Sequence, residues 1–395
     1  MIPLLKQRHH TSKYSFNTSL SFVPGGRPYF DLIANLIDTA SLSIHVQCYI
    51  FDEDRTGTMI AEKLIMAANR GVFVYILVDG YASQNLSKHF IEKIRSAGIK
   101  FKFFEPLLKS KYFYFGRRLH HKIVVIDTVK AVIGGLNISD KYNDFPSKAG
   151  WLDFALLVEG EVAKELCILC WKTWNGYPIN MELTPCESVP TPKMVFKGPT
   201  PLIRMIRNDW IRRKVQISNV YNHMFRTAKK EIIILSSYFI PGNLLRTLIS
   251  QAINRGVNVK VVSAGYSDVK IAKDAERWLY DWLLRNNIEL YEYQKKVLHG
   301  KLGICDGEWF TLGSYNINDL SAHASIELNL EVIDTPLTQE FRSIINKIIK
   351  EDCIQITLEG YKKTKNVFKQ LKQWFAFEIL RMLYYVFTFY IHQRK

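Results

Sequence analysis

Two stretches of the chain repeat one pattern of fixed residues, and this repetition limits the fold more than any other feature. The first reads His120-His121-Lys122-Ile123-Val124-Val125-Ile126-Asp127 and runs on to Gly134-Gly135-Leu136-Asn137. The second reads His299-Gly300-Lys301-Leu302-Gly303-Ile304-Cys305-Asp306 and runs on to Gly313-Ser314-Tyr315-Asn316. Both fit one template: His, one residue, Lys, four residues, Asp, six residues, Gly-Gly or Gly-Ser, one residue, Asn. A fixed position is matched by chance about one time in 20, so two accidental copies are very improbable.

The spacing has a mechanical meaning. Ile123 to Ile126 and Ala131 to Ile133 are apolar, β-branched runs of the kind that form short buried strands. On a strand, residues two apart share a face and stand roughly 6–7 Å apart along it. His120 and Lys122 therefore project together, as do His299 and Lys301. Asp127 and Asp306 complete the template and are counted with its catalytic residues, although strand parity turns them to the opposite face and argues for a structural part. Gly134-Gly135 and Gly313-Ser314 let the next strand end pass close to a neighbour, and Asn137 and Asn316 follow as amide donors. His121 points away from His120 and reads as packed.

The chemistry of these side chains fits a phosphodiester. Two lysines and two asparagines converging on one anion supply an electrostatic cradle. One imidazole can attack phosphorus while the other protonates the departing alcohol and later deprotonates the incoming one. Spacing leaves open which histidine attacks. A lysine at the centre would repel a cation, so no metal and no cofactor is expected.

The doubled motif resembles the signature of the phospholipase D superfamily, in which two copies meet across a pseudo-twofold axis to form one active site. With Trp151-Leu152-Asp153-Phe154 after the first copy and Ser325-Ile326-Glu327 after the second, the whole chain resembles the bacterial cardiolipin synthases, in particular those without N-terminal transmembrane helices. The resemblance implies an α/β fold of two duplicated α/β/α phospholipase D-like domains with mixed β-sheets and the active site at their interface. It implies His120 as nucleophile, His299 as acid and base, and Asn137 and Asn316 on the substrate phosphate. It further implies Asp153 and Glu327 as the acids that orient the histidines. The implied function is phosphatidyl transfer between two phosphatidylglycerol molecules, giving cardiolipin and glycerol through a phosphohistidine. A phospholipase D using water, or a nuclease of the same superfamily, is the alternative.

The net charge of +16 over 395 residues calls for a polyanionic partner, nucleic acid or an anionic bilayer. The aromatic C-terminus favours the bilayer, so no nucleic acid and no obligate protein partner is expected. Apolar residues at 48% and charged ones at 23% are globular values. The six cysteines read as packing, not a disulfide framework. Residues 1–17 show neither a signal peptide nor an anchor.

The chain divides by pattern. Residues 1–176 form a first domain, beginning with a polar lead-in over 1–20. Residues 177–201, holding six of the 13 prolines, form a linker. The architecture restarts over 202–360, where Asn254-Arg255-Gly256-Val257 echoes Asn69-Arg70-Gly71-Val72. The aromatic, basic loop at 109–118 reads as a lip facing lipid. After Lys362, Lys363, Lys365, Lys369 and Lys372, the segment Trp374 to Ile391 draws a polar stripe through Glu378, Arg381, Tyr385 and Thr388 that runs on to His392. That stripe predicts a helix lying on a membrane, hence peripheral attachment on the cytoplasmic face of the cell membrane.

Overall fold

The apolar runs pair into two sheets in a computed structural model. It describes residues 13–106, 117–176, 186, 189–191, 193, 195, 200–318, 321 and 325–392, with side chains only as far as 383. The first half contributes β1 (Thr18–Pro24), β2 (Ser43–Cys48), β3 (Phe73–Asp79), β4 (Lys100–Phe104), β5 (Arg118–Leu119), β6 (Lys122–Ile126), β7 (Lys130–Gly134) and β8 (Phe154–Gly160). The second contributes β9 (Leu202–Asp209), β10 (Lys214–Val215), β11 (Glu231–Ser236), β12 (Asn258–Ala264), β13 (Glu289–Tyr293), β14 (Leu302–Cys305), β15 (Trp309–Gly313), β16 (Ser325–Ile333) and β17 (Cys353–Ile356).

The duplication seen in the motifs extends to topology. The first sheet runs β1-β8-β7-β6-β2-β3-β4, and the second repeats that order as β9-β16-β15-β14-β11-β12-β13, with β10 and β17 added at its edges. In each, three strands joined by helical crossovers are parallel and the others antiparallel, which gives the mixed α/β fold. One element was not foreseen: Thr18–Pro24, partly inside the expected lead-in, is an edge strand with Thr18 opposite Gly160.

The inner faces of the sheets share one core. Ile123, Val125, Ile133 and Leu156 of the first half pack in one buried cluster with Leu235, Leu302, Ile304 and Leu330 of the second. The helices Glu161–Trp174 and Thr335–Asp352 fill the same layer through Leu166 and Phe341. Three strand pairings also cross between the halves: β5 lies parallel to β16, with Leu119 opposite Ile326, Leu152 bridges to Leu298, and Ser15 bridges to Ile203.

Two readings need correction or extension. Cys167, read as packing, is buried but also disulfide-bonded to Cys186, a residue in the proline-rich stretch. The C-terminal helix, Val367–His392, lies against the helix Lys270–Trp278 and buries only Ala376 among its described side chains. Phe368 is 81% exposed and Phe375 60%. Glu378 and Arg381 begin the expected polar stripe as a 2.9 Å ion pair, and the side chains of Tyr385, Thr388 and His392 lie outside the described ones. Among the described residues no helix is long and apolar enough to cross a membrane.

Candidate active site

Both motif pairs sit at the head of a hairpin. His120 and Lys122 lead into β6, His299 and Lys301 into β14, and parity puts each pair on one side as expected. Each lysine curls back so that its ammonium donates to the carbonyl of its own histidine. Lys301 also reaches the Ser237 hydroxyl at 3.2 Å, while Lys122 stands 5.5 Å over the Tyr49 ring. Burying two ammonium groups is costly unless an anion joins them.

The orienting acids come from the opposite halves. Glu327 on β16 accepts from His120 Nδ1 at 2.9 Å, and Asp153 beside β8 accepts from His299 Nδ1 at 2.6 Å. Backbone contacts follow the same crossing: His120 N–H donates to Ile326 O, and His299 N–H to Leu152 O. The unequal spacing of the two acids in sequence disappears in the sheet. Gly134 lies opposite Ala155 and Gly313 opposite Asn329, so Asp153 and Glu327 occupy the same register position. This explains the Gly-Gly and Gly-Ser pairs. A Cβ on Gly135 would stand 2.4 Å from the Asp153 carboxylate, and in the second half Ser314 uses that place to donate to Glu327. Ser325 donates to the other Glu327 oxygen at 2.7 Å.

Electrostatics tie the pairs into one site. Burial pushes Lys122 down to about 7 and Lys301 to about 8, against the pull of Glu327 and Asp153. Burial also lowers His120 and His299, and each feels the lysine of the other half as well as its own. Burial alone would raise both carboxyls, but His120 and Lys122 hold Glu327 below its ordinary range, and Lys301 and His299 do the same for Asp153. Burial therefore favours neutral imidazoles in the free site, with Nδ1–H donating to the carboxylate and Nε2 unprotonated.

The remaining expected residues divide. Asp127 and Asp306, counted with the catalytic set, do not touch the site. Asp127 accepts from the backbone N–H groups of Ser41, Leu42 and Ser43, and Asp306 from those of Lys229, Lys230 and Glu231. Both have left-handed backbone, with φ of 51° and 53°, in the hairpin turns far from the histidines. Strand parity was the better guide, and their part is to pin the first parallel strand of each sheet. Asn137 was expected on the substrate phosphate, but its amide is committed: Oδ1 accepts from Ile50 N–H at 3.0 Å and Nδ2 donates to the Tyr142 hydroxyl at 2.8 Å. Asn316 differs, because its Oδ1 is buried with no partner among the described residues. His121 is packed as expected, donating from Nε2 to Gln47 Oε1 at 2.9 Å. Of the loop at 109–118, all but Arg117 and Arg118 lies outside the described residues.

Sequence reasoning missed Tyr142, whose hydroxyl is 3.4 Å from His299 Nε2, and the Ser237, Ser314 and Ser325 hydroxyls. Trp151, named only as a neighbour of Asp153, packs 5.8 Å from the His299 ring. Among the described residues no three histidine, cysteine or carboxylate groups gather as metal ligands. The arrangement offers two neutral imidazoles, each aligned by a carboxylate, beside two buried ammonium groups. That set can cut and re-form a phosphodiester by way of a phosphorylated histidine.

A family model described as cardiolipin synthase, PLD-like domain, matches residues 33–148 and 221–349. Cardiolipin synthase B of Salmonella typhi is 31% identical over 380 residues, covering 92% of this chain and 87% of its own. The cardiolipin synthase of Geobacillus sp. (strain WCH70) is 30% identical over 355 residues, covering 88% of this chain and 70% of its own. Among solved structures, a phosphatidylserine synthase from Haemophilus influenzae Rd KW20 superposes with a TM-score of 0.71 at 14% identity, covering 94% of this chain and 95% of its own. At that identity the likeness speaks for the fold.

Proposed function

The chain belongs to the cardiolipin synthase family with phospholipase D-like domains, and on that premise we propose that it joins two phosphatidylglycerol molecules into cardiolipin with release of glycerol. The observation that carries this reading is the crossed pair of histidine–carboxylate contacts beside two buried lysines. His120 Nε2 attacks the phosphorus of the donor lipid, and the P–O bond to glycerol breaks as His299, which takes up a proton at Nε2 when the anionic lipid binds, protonates the leaving oxygen. The hydroxyl of a second phosphatidylglycerol then gives its proton to His299 Nε2 and attacks the phosphohistidine, freeing His120. Lys122 and Lys301 offset the phosphate charge throughout, and the uncommitted Asn316 amide is available to substrate.

Incubation with vesicles of labelled phosphatidylglycerol is expected to yield labelled cardiolipin and glycerol in equal amounts, in excess chelator as well as without it. Phosphatidic acid as the sole lipid product would reassign the protein as a hydrolase. Dependence on one particular divalent ion would refute the lysine-based scheme.

The same reading places the protein on the cytoplasmic face of the cell membrane through its C-terminal helix. Val367, Phe368, Leu371, Phe375 and Met382 are exposed on it, and Tyr266, Val269 and Ile271 continue the apolar surface beside the helix Lys270–Trp278. That helix reaches the catalytic groups: Glu276 accepts from Phe239 N–H at 2.9 Å, close to Ser237, which accepts from Lys301. The neighbouring lysines favour an anionic surface by about 1 kcal/mol each. Deleting residues 367–395 is expected to move the protein from the vesicle pellet to the supernatant and to lower activity on vesicles more than on detergent-dispersed lipid. Unchanged pelleting would exclude the helix as the anchor.

A further inference from the structure

His120 and His299 have equivalent acids and lysines but different surroundings at Nε2. The difference starts in the sequence. Asp153 follows its motif asparagine by 16 residues and Glu327 by 11, yet both occupy one register position, so the first half carries five extra residues in the connection. That longer connection begins with the 3-10 turn Asp140–Tyr142 and is closed by the Trp151 N–H on Lys141 O at 2.8 Å. It lays two aromatic rings on His299, Tyr142 at 5.0 Å and Trp151 at 5.8 Å.

The polarity of the contacts around Tyr142 is fixed from one end. A backbone N–H can only donate, so the Ile50 N–H compels Asn137 to turn Oδ1 toward it. The Asn137 NH2 must then face Tyr142, whose oxygen accepts from it. That leaves the Tyr142 proton for His299 Nε2. At the far side of the ring, Nδ1–H donates to the Asp153 carboxylate at 2.6 Å, while the Lys301 ammonium, 3.0 Å from the same nitrogen, donates to the His299 carbonyl and Ser237 hydroxyl instead, which leaves Nε2 as a bare lone pair. Four hydrogen bonds therefore run in one direction, from Ile50 through Asn137, Tyr142 and His299 to Asp153.

We propose that Tyr142 is a catalytic residue whose hydroxyl, aimed by Asn137, donates to His299 Nε2 and keeps that nitrogen a proton acceptor until the lipid alcohol displaces it. The proposal rests on the phosphatidyl-transfer reading above and gives Asn137 a positioning part in place of phosphate binding. When the alcohol arrives, its hydroxyl takes the place of Tyr142 on Nε2. Its proton passes to that nitrogen as the new O–P bond forms and the bond from phosphorus to His120 Nε2 breaks. The other ring proton stays on Nδ1, hydrogen-bonded to Asp153. The charged and titratable groups facing His299 are Lys301, Asp153, Lys122 and Tyr142 itself, and Tyr142 in turn feels Asp153, Asp268 and Tyr238. Burial keeps the Tyr142 phenol well above its ordinary range, so it retains its proton.

The test uses the full chain with Tyr142→Phe and Asn137→Ala. A donor on the lone pair favours neutral imidazole, so its removal raises the affinity of His299 for a proton. The acid limb of the pH profile for transfer from the His120 adduct to alcohol should move up by roughly half a unit to one unit in Tyr142→Phe. At a fixed pH on that limb the rate of the step should fall by up to about tenfold, the same shift read as a rate. Adduct formation from a lipid with an activated leaving group, which needs no acid, should stay within about twofold. Asn137→Ala keeps the hydroxyl but frees it, so it should move the limb in the same direction and carries the test if Tyr142→Phe does not fold. An unmoved limb in both variants, or an equal loss in adduct formation, would overturn the proposal alone. An adduct found on His299 in the parent enzyme would remove its premise as well.

Discussion

His120→Ala and His299→Ala are each expected to lower phosphatidyl transfer by about 10⁴-fold or more, and the double variant no further. Residues that act as a unit lose nearly everything with the first member removed. Here the unit is defined by contact: His120 leans on an acid of the second half, and His299 on an acid of the first. Each half alone supplies one histidine, one lysine and a carboxylate aimed away from its own histidine. The measurement is single-turnover transfer of labelled lipid with each variant. Residual activity within about a hundredfold of the parent in either single variant would mean two independent sites.

Glu327→Gln is expected to cost about as much, because a carboxylate that holds an imidazole in its reactive tautomer is worth about 10⁴-fold in rate. The crossed pairing makes the consequence specific. Glu327→Gln, a change in the second half, should prevent phosphatidylation of His120 in the first, even with an activated leaving group. Asp153→Asn should permit that adduct and stall its transfer to the alcohol, so that labelled lipid accumulates on the His120 peptide. The opposite result, adduct in Glu327→Gln and none in Asp153→Asn, would exchange the roles of the two histidines. Both sites are buried, so a thermal melt should accompany each variant; leaving one charge of a buried pair without its partner costs about 3–5 kcal/mol.

Much of this was legible from residue types at fixed spacing. A repeated His-x-Lys on a strand dictates two pairs on one face, and β6 and β14 deliver them. Parity also read Asp127 and Asp306 correctly against their membership of the motif, since an odd offset on a strand changes face whatever the family pattern says. Sequence distance failed where a loop intervened. Asp153 looked displaced relative to Glu327, yet strand pairing, not residue count, sets which side chain meets a histidine. Tyr142 was invisible for the same reason, because only the path of the longer connection brings it to His299. The amide of Asn137 could not be assigned without knowing that Ile50 N–H lies beside it. The Cys167 partner sits in a proline-rich stretch with no periodic pattern to locate it.

The crossed contacts also limit how the molecule can move during turnover. Many two-domain enzymes admit their substrate by parting like jaws and closing again. Here such a motion would separate both histidines from their carboxylates, peel β5 from β16 and split a shared apolar core in one event. The halves therefore behave as a fixed frame, and any substrate must reach the histidines without the two sheets parting.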